Sequence, residues 1–404
     1  MEGTADNITN SFAGIQTEGE EGVSQNYRSD GTISWPTTLF IGLTPIIALV
    51  GVIAHTMVFG ISWIDLVTLL AFYLVIGMAV TAGYHRCFAH RSYEARWPLR
   101  LGYAIMGAAA IEHSAIVWSA THRTHHKHSD TEGDPHSSRK GMYWAHMGWM
   151  FINEKPPLAK VPDLMKDPIL RWQNRHIWKI TILASFGLPL VVGAAIGAFT
   201  PTKGDILARM LGCFVWAGLV RIVLIHHTTW LINSAAHWVG RQPYTSEDSS
   251  KDNEFVALLT LGEGYHNFHH AFQGDYRNGV RWWQYDPTKW WIKFNTFIGM
   301  THSLKRAPKR AIQTARADQR WRELMGKKTI GMRAKESFEN RYSELRERMR
   351  EVMNRMAKKS AESKALRKEK IKAAKRELNE VKARLAELMK EVRAFSKNAT
   401  ANPT

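Results

Sequence analysis

Residues 35–82 read WPTTLFIGLTPIIALVGVIAHTMVFGISWIDLVTLLAFYLVIGMAVTA. Trp35 to Phe59 is a nearly uncharged run, and Ile61 to Ala82 is a second, interrupted only by Asp65. A bilayer span needs about twenty mostly apolar residues, so each run is long enough to cross. The break at Gly60-Ile61-Ser62 leaves room only for a tight turn, which predicts a helical hairpin. Ile177 to Phe199 and Ile206 to Ile232 repeat the pattern, joined by the turn sequence Thr200 to Gly204. The sequence therefore predicts an all-α integral membrane protein with four transmembrane helices in two hairpins.

Working outward, two tight hairpins return the chain to the side it came from. The N-terminus, residues 83–176 and everything after about Asn233 then share one side. Arg86, Arg91, Arg96, Arg100, Arg123, Lys127, Arg139 and Lys140 lie there, against little beyond Lys203 on the other. The bias of Lys and Arg towards the inside makes that side cytosolic, both termini included. Leu99 to Trp118 is a fifth apolar stretch, but it contains Glu112 and His113 and the topology has no room for another crossing. It is expected to lie as a helix at the membrane interface. The first 34 residues are polar and acidic and lack a basic leader region, which suggests a cytosolic arm.

Three histidine clusters fall just beyond the predicted spans. They are His85-Arg-Cys-Phe-Ala-His90, His122-Arg-Thr-His125-His126 and His266-Asn-Phe-His269-His270. Residues three and four apart share a helical face, so each of the last two boxes is expected to aim three imidazoles at one point. His85 and His90, five apart, diverge on an α-helix and are expected to serve two adjacent metals. Neutral imidazole is the commonest side-chain metal ligand. Eight imidazoles exceed the four ligands of one zinc, so two metals of higher coordination number fit better. A pair of irons can bind and split O2, the chemistry needed to attack an unactivated C–H bond. The membrane supplies a matching substrate, a lipid chain. The sequence carries no GxGxxG or GxxxxGK phosphate loop, no heme-attachment Cys-x-x-Cys-His and no His-Pro-Gly-Gly.

The 404 residues carry a net charge of +18, with 54 Lys and Arg against 36 Asp and Glu. Residues 301–404 hold 30 of those basic and 13 of those acidic side chains, so the remainder is almost neutral. Phe338, Tyr342, Leu345, Met349, Val352 and Met356 form a heptad seam, and Leu378, Val381, Leu385, Leu388, Val392 and Phe395 form another. They predict a coiled coil or an antiparallel helical hairpin, suited to self-association or to anionic headgroups. No zinc-finger or RNP-type pattern supports nucleic-acid binding. The expected domains are an arm over 1–34, a membrane domain over 35–302 with its cytosolic helical cap, and a basic helical tail over 303–404. Cys87 and Cys213 are too far apart and too apolar in setting to suggest a disulfide framework.

The boxes and their surroundings resemble the membrane-bound fatty acyl desaturases of the stearoyl-CoA desaturase type. The likeness runs from roughly Thr37 to Pro287. It includes Thr81-Ala-Gly83, the run Ser129-Asp-Thr-Glu-Gly-Asp134-Pro135-His136, Asn233-Ser-Ala-Ala-His237 and Gly262-Glu-Gly-Tyr-His266-Asn-Phe-His-His-Ala-Phe272. The resemblance implies a di-iron site in the cap, ligated by His85, His90, His122, His125, His126, His237, His266, His269 and His270, with Asn233 holding a metal-bound water. It further implies O2-dependent desaturation of a long saturated acyl chain, Δ9 on C16–C18 substrates, with two Fe2+ as cofactor. Tyr73 would cap the acyl tunnel, Gly77 would keep it open, and Trp118, Thr229 and Trp230 would grip the bent chain. His226 is left as a packing or tunnel residue, and His113, His136, His146 and His176 as structural or supporting.

On the head-group side this sequence departs from the family. An Arg-Asp pair and a basic pair are replaced by Ala120-Thr121 and Asn153-Glu154, and an asparagine by His113. The acyl carrier is therefore left open among CoA, acyl carrier protein and phospholipid. Electrons are expected from a separate cytochrome b5, ferredoxin or rubredoxin, and a bacterial inner membrane is favoured over endoplasmic reticulum. A hydroxylase on the same core is the nearest rival. A non-catalytic metal-binding membrane protein is the rival from another class, and it would spread ligands along the spans.

Overall fold

The computed structural model describes residues 32–152, 159–199, 205–326, 330, 332–357 and 364–401. Most of the arm, Asn153-Glu154 and the turn at 200–204 lie outside the described residues. Among the described residues, four helices are long and apolar enough to cross a membrane: α1 (Trp35–Phe59), α2 (Trp63–Ala89), α5 (Ile177–Ala198) and α6 (Ile206–Trp238). Between the pairs lie α3 (Trp97–Ala108) and α4 (Ala115–His128). The cap continues with α7 (His266–Ala271) and α8 (Pro287–Phe297). The tail is α9 (Lys309–Met325), α10 (Met332–Ala357) and α11 (Lys364–Ala401).

Asp65, which interrupts the second apolar run, is a cap. Ser62 and Asp65 form a reciprocal capping box at the start of α2, with the Ser62 amide donating to Asp65 Oδ2 at 2.8 Å. On α1 the buried residues are Ile41, Ala48 and His55, seven apart along one stripe. That stripe does not pair with α2. α1 packs mainly on α6, and α2 packs on α6 along its first half and on α3 and α4 along its 79–89 end; Gly51 lies close to Val215 and Leu219 and Gly77 close to Ile225. The first hairpin is thus one of chain connection, and α6 supplies the packing partner of both its arms.

The apolar stretch from Leu99 is two helices and not one. It breaks at 109–114, where Ile111 and His113 adopt φ of 59° and 72°. The carbonyls at the end of α3 have no helical partner and must find donors, above all next to lipid. Arg221, fully buried on α6, donates to the Ala109 carbonyl at 2.6 Å and to Ala217 at 3.1 Å. The hydroxyls of Ser185 and Thr181 donate to Ala109 and Ala108 at 3.0 and 3.2 Å. His226 Nε2 lies 2.9 Å from the Ala110 carbonyl, so it is a packing residue that holds this break.

Past the first box, residues 94–95 pair antiparallel with 301–302. Arg86 is buried in the same region, its guanidinium reaching Glu263, Asp286 and the Tyr276 carbonyl. These links fasten the end of α2 to the cap. In the tail the two heptad seams face each other within one chain. Phe338, Tyr342, Met349, Val381, Leu385, Leu388 and Val392 share one core with Trp321 of α9. The pairs Arg341–Glu391 and Arg355–Glu377 run in opposite directions along α10 and α11, so the helices are antiparallel. The expected boundary at residue 303 is bridged at once: Ile312 of α9 packs with Tyr244 of the cap and Phe268 of α7.

Candidate metal centre

Nine histidines converge in two neighbouring groups, each with ligand atoms within 4.8 Å of one another. The first group is His85, His90, His122, His126 and His269; the second is His125, His237, His266 and His270. In the first, His90 Nε2 lies 2.7 Å from His122 Nε2 and His85 Nε2 lies 3.0 Å from His269 Nε2. In the second, His266 Nε2 lies 3.1 Å from both His237 Nε2 and His270 Nε2.

Two expectations about direction need correcting. Each H-x-x-H-H box is divided: its first and last histidines enter one group and its middle one the other. Residues i and i+4 point within about 40° of each other, whereas i+3 and i+4 are about 100° apart. α4 gives His122 and His126 to the first group and His125 to the second. α7 gives His266 and His270 to the second and His269 to the first. Two helices with the same spacing therefore bind the groups into one unit. His85 and His90 do not diverge, because residues 79–89 are π-helical and not α-helical. The His90 amide donates to the His85 carbonyl at 3.0 Å, an i to i+5 bond that brings side chains five apart onto one face.

Each group is supported from behind. Glu263 Oε2 lies 2.8 Å from His85 Nδ1, and Asp134 Oδ1 lies 3.0 Å from His125 Nδ1. Asp248 Oδ2 lies 3.0 Å from His270 Nδ1, and Ser249 Oγ 2.8 Å from His237 Nδ1. Burial would raise the Asp134 carboxyl, but the His125 and His136 imidazoles outweigh it and hold it well below the usual range. His270 does the same for Asp248. Burial, followed by neighbouring imidazoles, pushes His90, His122, His126, His266 and His269 well below the ordinary histidine value. Burial also lowers His125, but Asp134 more than reverses this.

This donor set fits two metal ions. Asp134 and Asp248, accepting from Nδ1–H, leave the Nε2 lone pairs of His125 and His270 facing inward, and Glu263 stands 2.8 Å behind His85 Nδ1. Neutral imidazoles whose Nε2 atoms approach within 3.1 Å cannot all donate to one another. His125 Nε2 is buried without any hydrogen-bond partner. A cation among them removes both problems.

Asn233 closes the main helical run of α6, and the chain bends at Ser234 (φ −104°, ψ −77°) before His237. The single helical face expected for the two is therefore interrupted. Trp118 stacks on His122 at 5.0 Å and donates its indole N–H to Glu112 Oε2 at 3.1 Å. Burial pushes the Glu112 carboxyl up to about 7, with nearby Thr229 and Trp118 opposing the rise. Trp230 is buried and stacks on His226. Tyr73 donates its hydroxyl to the Leu259 carbonyl, tying α2 to the cap. A Cβ at Gly77 would lie 2.7 Å from Leu261 Cδ1, so the space that this glycine leaves is taken by Leu261. His146 lies within reach of Ser234 and His227, away from both groups, and His136 lies beside His125 and Asp134.

Glu112, Asp248, Ser249 and the pairing role of Glu263 and Asp134 were not read from the sequence. The signal was available for the last two, which sit inside the quoted motifs. A ligating imidazole needs an acceptor behind it.

The family model for "Fatty acid desaturase" matches residues 61–295. The chain is 40% identical over 260 residues to "Acyl-CoA desaturase 1" of Saccharomyces cerevisiae, covering 64% of this chain and 49% of the yeast protein. It is 35% identical over 251 residues to "Stearoyl-CoA desaturase 5" of Homo sapiens, covering 61% and 73%. It is 35% identical over 284 residues to "sn-1 stearoyl-lipid 9-desaturase" of Anabaena variabilis, covering 69% and 96%. The chain spans about half the length of the yeast relative. Its helices, its paired histidine groups and these matches lead to one assignment: the chain belongs to the fatty acid desaturase family.

Proposed function

We propose that this protein desaturates a long-chain saturated fatty acyl group, near mid-chain, at two irons held by the histidine groups and by Asn233 through water. The observation that carries this reading is the pair of adjacent groups of buried and half-buried imidazoles at the ends of apolar spans. A non-catalytic carrier would need ligands spread along the membrane path. Bound irons supply O2 activation and removal of hydrogen from two adjacent carbons. The balance is R–CH2–CH2–R′ + O2 + 2 e− + 2 H+ giving R–CH=CH–R′ + 2 H2O.

This chain's own residues position and shield. Glu263, Asp134 and Asp248 fix the tautomer and orientation of His85, His125 and His270. Trp118, held by Glu112, walls the first group on the His122 side. Tyr73, anchored to Leu259, is the stop that measures the chain from its methyl end. The name of the Anabaena relative supports position 9. The relatives are named for CoA and for lipid substrates, and both carriers are candidates here, with Ala120-Thr121 supplying no charge to a CoA phosphate. The yeast and human relatives lean the compartment towards endoplasmic reticulum, away from the bacterial inner membrane favoured on sequence.

The test is expression of the full chain in a host lacking its own desaturase, with analysis of lipid fatty acids and of bound metal. The expected result is monounsaturated acyl chains and two irons per chain. Hydroxylated chains in place of alkenes, or full activity with a single zinc, would overturn the reading.

A further inference from the structure

The tail helices do not stand apart from the metal groups. α9 and α10 meet the loop at 244–250 in a cleft of about 500 Å³, lined by Arg310, Arg322, Arg350, Tyr244 and Glu247 among others. On its other side the same loop holds two of the histidines, His270 through Asp248 and His237 through Ser249. Glu247 in the cleft wall is followed directly in the chain by Asp248 at the His270 ring. Arg316 lies over the Tyr244 ring at 5.8 Å, and that ring packs edge-on against Phe268 of the third box.

The charge here is unbalanced. Asp318 is neutralised by Arg346, and Arg350 is shared with Glu347. Arg310 and Arg322 are exposed and make no ion pair among the described residues. Residues 301–404 as a whole carry 30 basic side chains against 13 acidic. The aromatic side chains that suit a lipid interface are exposed elsewhere, as Trp290, Phe294 and Phe297 on α8. This basic surface is therefore not the part of the cap best made for the membrane.

Resting on the desaturase reading, we propose that the cleft between α9, α10 and the 244–250 loop is the docking face for an acidic one-electron donor protein. Each double bond consumes two electrons, and this sequence carries no flavin, nicotinamide or heme motif to supply them. The donor loses one electron per encounter, and two encounters reduce the centre once. Docking at this cleft places the donor against Ala271, which lines the wall and follows His270 of the second group directly in the chain. Complementary charge raises encounter rates by about 10 to 10³ and is screened by salt.

The experiment uses the full chain carrying R310E and R322E together, with the reduced soluble heme domain of cytochrome b5 as donor. At low salt kcat/KM for the donor is expected to fall at least about tenfold, with the difference shrinking at high salt. Single-turnover desaturation after chemical reduction by dithionite is expected to match wild type. A control pair on exposed positions of α11, R384E and R393E, is expected to leave donor kinetics unchanged. Unchanged donor kcat/KM in the R310E/R322E protein overturns the proposal. So does the same result accompanied by lost binding to phosphatidylserine vesicles, which assigns the surface to lipid. A wild-type protein that forms no double bond even after chemical reduction overturns the desaturase reading itself, a separate outcome.

Discussion

At the scale of single residues, the site is a problem of aiming lone pairs. Replacing His122, His126 or His270 by Ala removes one nitrogen from a group without opening a large cavity, so the protein should stay folded in the membrane and lose turnover. Metal analysis should show fewer than two irons per chain. Glu263→Gln keeps the volume but weakens the hold on His85, and metal affinity should drop about 10–100-fold. Glu112 offers a pH test. Burial raises its pKa from 4.5 to about 7, so the fold favours the protonated form. Its contribution is complete below pH 4.5 and is lost as pH rises to about 7. Glu112→Gln removes that loss, so its melting temperature relative to wild type should rise across this window. A constant difference from pH 4.5 to 8 would show that the carboxyl titrates normally.

Among the elements, the end of α2 does the most. Its π-helical turn sets His85 and His90 on one group, and Arg86 between them ties that turn to Glu263 and Asp286. Arg86→Met leaves two buried carboxylates without their cation and should cost about 3–5 kcal/mol. Denaturant unfolding of detergent-solubilised protein would measure it. At the opposite side of α2, Tyr73→Ala shortens the proposed tunnel stop and frees the Leu259 carbonyl. Longer acyl chains should then appear among the products. An unchanged chain-length profile by gas chromatography would remove Tyr73 from that role.

For the whole molecule, the tail is continuous with the cap through Ile312, Tyr244 and Phe268. A chain stopped at Ala307 loses the Ile312 side chain from behind the third box, and burial of that size is worth about 2–5 kcal/mol. It should retain iron less well than the full chain, measured by metal content after gel filtration. Full metal retention would support residues 303–404 as an accessory unit.

The sequence by itself determined the four apolar runs, the three histidine boxes, the concentration of basic charge in the tail and the family. These depend on composition and short-range spacing, which the chain carries without folding. It also marked Trp118, Thr229 and Trp230, and the structure places Trp118 on Glu112 and Trp230 against His226. Only the tertiary structure decided which histidine joins which group. A spacing of three, four or five fixes an angle only once the helix type is known, and the π-helical turn at 79–89 arises in the folded, packed end of α2. It also decided that α1 faces α6 and that the apolar stretch from Leu99 breaks at 109–114. Each of those rests on partners more than a hundred residues away or on backbone donors that no local pattern displays. Asp248 and Ser249 came to the site for the same reason: they lie on an unremarkable loop, and only the fold lays it against His270 and His237.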